Sequence, residues 1–175
     1  MSADKVNPKE IRIRLYSKKD KLKNLDFTEN DHTDPLEIDN FVKTKSDFYH
    51  SNKLTSMWSV RYQGNLVGFF AMSMNALATD NMQEGDRIKK ATTKRYPAIL
   101  LGQMGIDKKF RNRDLGYWVC QHCIGLGRKI TPKIACKVIM LHTNADKAGY
   151  YENKLGFQRT TQKTAGKITL YKRIW

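Results

Sequence analysis

Acidic residues are scarce in this chain: 17 Asp and Glu stand against 32 Lys and Arg, a formal net charge of +15 over 175 residues. That deficit disfavours cationic ligands and favours polyanions, anionic cofactors or acidic surfaces, though charge by itself does not say which is bound. Cysteine is sparse too. Cys120, Cys123 and Cys136 cannot build a disulfide framework, so a disulfide-stapled secreted scaffold is excluded and a reducing cytoplasm is expected. Long apolar runs are missing: the longest, near LVGFFAMSM, is far too short to span a bilayer. The opening MSADKVNPKE is polar and charged, and no signal peptide is expected there. No internal repeat or low-complexity segment is present.

Hydrophobic residues at 40% and charged residues at 28% fit a soluble globular protein, and this length suffices for one domain with a real core. A single domain over 1–175 is expected, with 1–10 as a flexible arm. Residues 11–16 alternate apolar and charged, as a half-buried strand does. Residues 17–34 read as loop with a short helix. Asp34-Pro35 has helix-start chemistry, with Asp34 as N-cap and Pro35 in the first helical position. Leu36, Ile38, Phe41, Val42 and Phe48 supply that helix with an apolar face. Residues 55–62 and 66–74 flank Gln63-Gly64-Asn65 as a hairpin. Residues 79–96 have no clear period and read as a long loop, a type of segment that tends to be functional or mobile.

An apolar strand follows over 98–106. A helix is expected from 113 or 114 to 129, with Leu115, Trp118, Val119, His122, Cys123 and Leu126 on one buried face. Then come a buried strand over 136–142 and a short helix over 145–154, closed by Gly156 in a left-handed turn. Two last strands lie near 157–161 and 167–175. The order β, α, ββ, β, α, β, α, ββ implies a mixed α/β sheet with helices packed on it.

The stretch FRNRDLG, residues 110–116, lies where a strand becomes a helix. Free N–H groups and the positive end of the helix dipole suit a pyrophosphate there. Arg111 and Arg113 can add charge-assisted contacts, and Gly116 permits close backbone approach. Asp114 runs against that pattern. It keeps its backbone N–H, tolerates the left-handed conformation better than most residues, and has a side chain suited to capping the helix. Downstream, HTNADKAGYYENKLGF pairs Asn144 with Tyr151, seven residues on.

YPAILLGQMGIDKKFRNRDLG and HTNADKAGYYENKLGF, in this order, resemble the GNAT superfamily of acyl-CoA-dependent N-acetyltransferases. The resemblance covers roughly residues 55–172 and implies the GNAT fold: a twisted, mostly antiparallel sheet of six or seven strands with helices on both faces. It implies acetyl-CoA as cofactor and direct attack on it by a primary amine. Arg111, Asn112, Arg113, Asp114, Leu115 and Gly116 would form the pyrophosphate loop, with Asp114 in place of the family's middle glycine. Met104, Gly105 and Ile106 would meet the pantetheine arm and acetyl group. Asn144 would bond the coenzyme or the strand gap, Tyr150 would pack beside it, and Tyr151 would be the general acid. One extra residue precedes Gly156 relative to the common pattern. A homodimer through the final strands is implied by the same resemblance.

The acceptor stays open among a protein or peptide amine, an aminoacyl-tRNA and a small amine. The strand over 98–106 holds no carboxylate to deprotonate a lysine, Gln103 can only orient, and Glu84 and Asp86 lie unanchored in the long loop. An α-amine needs less help. YPAILLGQMGID and PLEIDNFVK are also similar to segments of toxin-type GNAT enzymes that acetylate aminoacyl-tRNA. The basic stretch IKKATTKRY would suit a tRNA acceptor stem. A non-catalytic, nucleic-acid-binding module of the same shape is the competing expectation. Cys120 and Cys123 read as buried structural residues despite the CQHC pattern, because His122 points elsewhere and further ligands are lacking. Trp58, Trp118 and Trp175 read as core or interface. His32 and His50 have no catalytic context, whereas His142 ends a strand where it can assist proton transfer.

Overall fold

Alternating residues make Ile11–Leu15 the first strand, β1, and two short helices follow, α1 (Ile38–Thr44) and α2 (Ser46–Ser51). The hairpin is β2 (Ser56–Tyr62) and β3 (Asn65–Ala78), and β4 is Arg95–Ile106. Then come α3 (Leu115–Ile130), β5 (Val138–Thr143), α4 (Ala145–Leu155), β6 (Gln158–Arg159) and β7 (Ile168–Arg173). The structure, a computed structural model, describes residues 6–162 and 166–174. The first five residues of the expected arm and Trp175 lie outside the described residues. The strands form one seven-stranded sheet in the order β1-β2-β3-β4-β5-β7-β6. β4 and β5 run parallel, while β1–β2, β2–β3, β5–β7 and β6–β7 are antiparallel.

The chain divides into two compact units, Met1–Ser73 with Gly102–Cys120, and Met74–Leu101 with Gln121–Trp175. In the first, the hairpin turns on Gln63 and Gly64, both with positive φ (49° and 80°), the geometry that matches strand twist. Its core gathers Leu22, Phe27, Phe41, Met57 and Phe69, with Phe27 edge-on to Phe69 at 5.1 Å. The arm is anchored from Val6 on: Val6 is buried, its N–H donates to Arg113 O, and Pro8–Glu10 forms a 3-10 turn. The expected helix start is displaced. α1 begins at Ile38, and the Asp34 carboxylate caps from further upstream, accepting from Ile38 N (2.8 Å) and Asn40 N (2.9 Å). A break at Lys45 separates α2, which leaves Phe48 exposed rather than on the buried face.

In the second unit, β4 pairs with β5 over Ala98–Leu101 and Val138–Leu141. Leu77, Met82, Tyr96, Ala98, Met140 and Tyr171 pack together. The 79–96 stretch contains two 3-10 turns and is pinned by the buried Tyr171 hydroxyl. That hydroxyl donates to Asp86 Oδ2 (2.8 Å) and accepts from Gln83 N (2.9 Å). Asp86, expected to be unanchored, is thus buried and bonded. Along α3, Leu115, Val119, Cys120, Cys123 and Ile124 are buried. Trp118 and His122, expected on that face, are exposed. All three cysteines are buried.

Asp20 is one of the buried charges of the first unit, with Asp39 and Asp107. Burial pushes its carboxyl up, but hydrogen bonds from Arg14, the Ser17 amide and Arg61 outweigh that and hold it below the usual carboxylate range. A lowered pKa means stability that is present above the unfolded value, about 3.9, and is lost as pH falls through the folded one. Asp20→Ala should cost about 3 kcal/mol in urea denaturation at pH 7, because both arginines lose their partner. The gap from the parent protein should narrow below about pH 4.

Candidate active site

In the first unit, β4 ends at Ile106 and Asp107 takes over the chain direction. Its carboxylate accepts from Lys109 N (2.9 Å) and Asp26 N (3.0 Å), starting the Lys108–Phe110 turn. Two left-handed residues follow, Asn112 and Asp114, both with φ 63°. Asn and Asp occupy that region more readily than other non-glycine residues, so the aspartate in the family's glycine position keeps the backbone shape. α3 then begins, with Trp118 N donating to Asp114 O (3.2 Å). The amides of the helix's first turn have no intrahelical acceptor, and the dipole of a 16-residue helix is positive at this end.

Arg111 does not offer its side chain to a phosphate, as expected from sequence. Its guanidinium makes four hydrogen bonds: to Ile106 O (3.1 Å), Thr28 O (2.9 Å), Phe27 O (2.8 Å) and the Glu29 carboxylate (3.4 Å). Three carbonyls and a carboxylate take four of the five N–H donors and hold the fork inward, so Arg111 contributes to the loop through its main chain. Arg113 lies over the Phe110 ring, 5.8 Å from its centroid. Leu115 is buried beneath the turn and Gly116 is half-buried. On β4, Met104 Sδ sits 3.7 Å from Cys120 Sγ. Gly105 is required by packing, since a Cβ there would come within 2.5 Å of Phe27 Cδ1. The carbonyl of Ile106 is the one held by Arg111.

In the second unit, Asn144 caps α4, its side-chain oxygen accepting from Lys147 N (3.1 Å). Its carbonyl end therefore serves the helix. Tyr150 is exposed, and the half-buried Tyr151 ring stands edge-on to Tyr150 (5.5 Å) and to Phe157 (6.0 Å). The extra residue runs the helix on to Leu155, and Gly156 closes it at φ 67°. Immediately before Asn144, the Thr143 hydroxyl is buried without a hydrogen-bond partner. Reasoning from sequence missed Thr143, because it reads as one more strand residue. It also missed Phe27 and Glu29, which nothing local ties to Arg111.

In the first unit, backbone amides at the helix terminus fit the pyrophosphate of a coenzyme A molecule; in the second, the orphaned Thr143 hydroxyl is open to a polar partner. Fold and motifs together define an acyl-CoA-dependent transferase. Residues 20–157 match the Acetyltransferase (GNAT) family, and the chain belongs to that family.

A tRNA-acetylating toxin of Mycobacterium tuberculosis (strain ATCC 25618 / H37Rv) is 22% identical over 111 residues, 63% of this chain and 66% of the relative. The chain thus spans just under two thirds of that relative's length. AtaT complexed with acetyl-methionyl-tRNAfMet superposes with a TM-score of 0.77 at 15% identity, over 93% of this chain and 94% of that one. A mutant of KacT gives 0.77 at 15% identity, over 94% and 95%. AtaTR bound with AcCoA gives 0.72 at 16% identity, over 95% of each chain. At these identities the superpositions show the fold.

Arg111→Ala should destabilise the protein by about 2–3 kcal/mol, since three carbonyls and a carboxylate lose charge-assisted partners. Hydrogen exchange around residues 27–29 should accelerate. Arg111→Lys should recover little of the loss, because a single ammonium cannot reproduce the planar fork.

Proposed function

We propose that this acetyltransferase acts on the α-amine of an aminoacyl-tRNA in the cytoplasm, its two units serving as one catalytic domain. Charge distribution carries the reading. Residues 74–101 and 121–175 hold sixteen Lys and Arg against five Asp and Glu, so most of the +15 sits in the second unit. Such a surface attracts a phosphate backbone. The names of the mycobacterial relative and of the AtaT complex support the same acceptor. An α-amine of pKa about 7.7–8.0 is partly neutral at pH 7 and needs no strong base, unlike a lysine near 10.4.

Acetyl-CoA supplies an acetyl group activated as a thioester. In this reading the main-chain amides of Arg111, Asn112, Arg113, Asp114, Leu115 and Gly116 hold the pyrophosphate. Met104, Gly105 and Ile106 on β4 and Asn144 with Thr143 orient the arm and the acetyl carbonyl. Tyr150 packs against Tyr151, and the Tyr151 hydroxyl gives its proton to the departing sulfur.

Labelled acetyl-CoA offered with aminoacyl-tRNA, deacylated tRNA and a lysine peptide should label the aminoacyl-tRNA alone, with a rate that falls steeply with salt. Label on the peptide alone would refute the acceptor. No transfer, with RNA binding retained, would favour the non-catalytic module. Tyr151→Phe should lower kcat by about 10²–10⁴-fold and leave acetyl-CoA affinity by calorimetry within about twofold of the parent, since a general acid acts on the transition state. Asp114→Gly should tighten acetyl-CoA binding about three- to tenfold, because it removes a carboxylate from an anion site and relieves left-handed strain.

A further inference from the structure

Side chains on a strand alternate between faces, so Val138, Met140 and His142 of β5 point the same way. Val138 and Met140 are covered by Leu77, Ala98 and Tyr171. The cover runs out at His142, which is exposed and lines a cavity of about 240 Å³ within the second unit. Arg95, Asn81, Gln162, Thr169 and Met140 line the same cavity. Asn81 donates to Gln162 across 2.7 Å. His142 and Thr169 are register partners of β5 and β7, and His142 Nδ1 lies 2.9 Å from Thr169 Oγ1. With Nδ1–H donating to that hydroxyl, Nε2 carries the lone pair. The lining holds no Asp or Glu.

We propose that this cavity receives the amine-bearing end of the acceptor, an amino-acid ester, and that His142 Nε2 takes the proton its nitrogen must lose. The inference rests on the reading above, in which an α-amine is acetylated. The nitrogen lone pair forms the C–N bond to the acetyl carbon, and the C–S bond breaks. Tyr151 protonates the sulfur and regains a proton from solvent, while His142 receives the nitrogen's proton and releases it to solvent through the open mouth. A weak base suffices, because the nitrogen becomes strongly acidic once the C–N bond forms.

The charges around the ring support the assignment. Burial, and then Lys167, lower the pKa of His142. Both thus disfavour the imidazolium, while Arg95 lines the cavity from the far end of β4. A basic lining repels an ammonium, which selects amines that arrive neutral, and Arg95 can bond the acceptor's ester or phosphate oxygens. The cavity thus discriminates against lysine without any carboxylate base.

The test compares the parent protein with His142→Gln, His142→Ala and Thr169→Val, each checked for unchanged acetyl-CoA affinity by calorimetry. His142→Gln should lower kcat about 10²-fold and remove one of the two ionisations from the acidic limb of the kcat/KM–pH profile, leaving that of the acceptor amine. Added imidazole should partly restore His142→Ala. Thr169→Val should shift the limb while keeping activity, as expected of a positioning residue. Without acetyl-CoA, methionine methyl ester should perturb the His142 ring resonance and its titration. An active parent with variants of equal rate and pH profile, or a ring signal indifferent to the ester, overturns the inference alone. A parent that acetylates no amine overturns the acceptor reading, and the inference falls with it.

Discussion

The four bonds of Arg111 join the start of the α3 turn to a stretch of chain 84 residues earlier, at Phe27. Main-chain carbonyls at 27, 28 and 106 would otherwise lack strong donors, and the arginine satisfies them together while Glu29 balances its charge. The turn that follows is stiff for that reason. Its two left-handed residues, Asn112 and Asp114, are held where a relaxed loop would drift out of that region. Pinning the side chain inward leaves the backbone as what the loop can offer to the proposed anion, and backbone needs no rotamer ordering on binding.

The second unit solves a different problem. The 79–96 stretch is too long and too polar to fold by itself. It is carried by Tyr171, whose hydroxyl ties Gln83 and Asp86 to β7. That anchoring covers one side of the sheet up to Met140 and stops before His142. A cavity therefore opens at the strand end, with Arg95 in its lining. On the proposed reading, an acetyltransferase that favours a neutral amine on a polyanionic carrier would gain from both features. The field attracts the carrier and repels the protonated form of the reacting group.

Much of this was legible beforehand. Element order, the hairpin at Gln63-Gly64, the left-handed Gly156 and the left-handed tolerance of Asp114 all follow from residue-level preferences. The two family motifs survive their irregularities for the same reason: Asp114 preserves φ, and the extra residue only lengthens α4 to Leu155. Misreadings cluster where a periodic pattern meets an edge. Phe48 has helical spacing from Phe41, but the chain breaks at Lys45 and turns it outward. Trp118 and His122 have core spacing on α3, yet the covered stripe is narrower than the apolar one.

Local sequence determined the backbone of this protein: periodicity, caps and φ preferences act over a few residues and need no partner. Only the tertiary structure decided what the side chains do. Arg111 reads as a phosphate ligand until the carbonyls of Phe27 and Thr28 are brought beside it. His142 reads as a strand end until Thr169 and Arg95 border the same cavity. A long, charged side chain takes the strongest partner within reach, and the fold alone determines which partners are in reach.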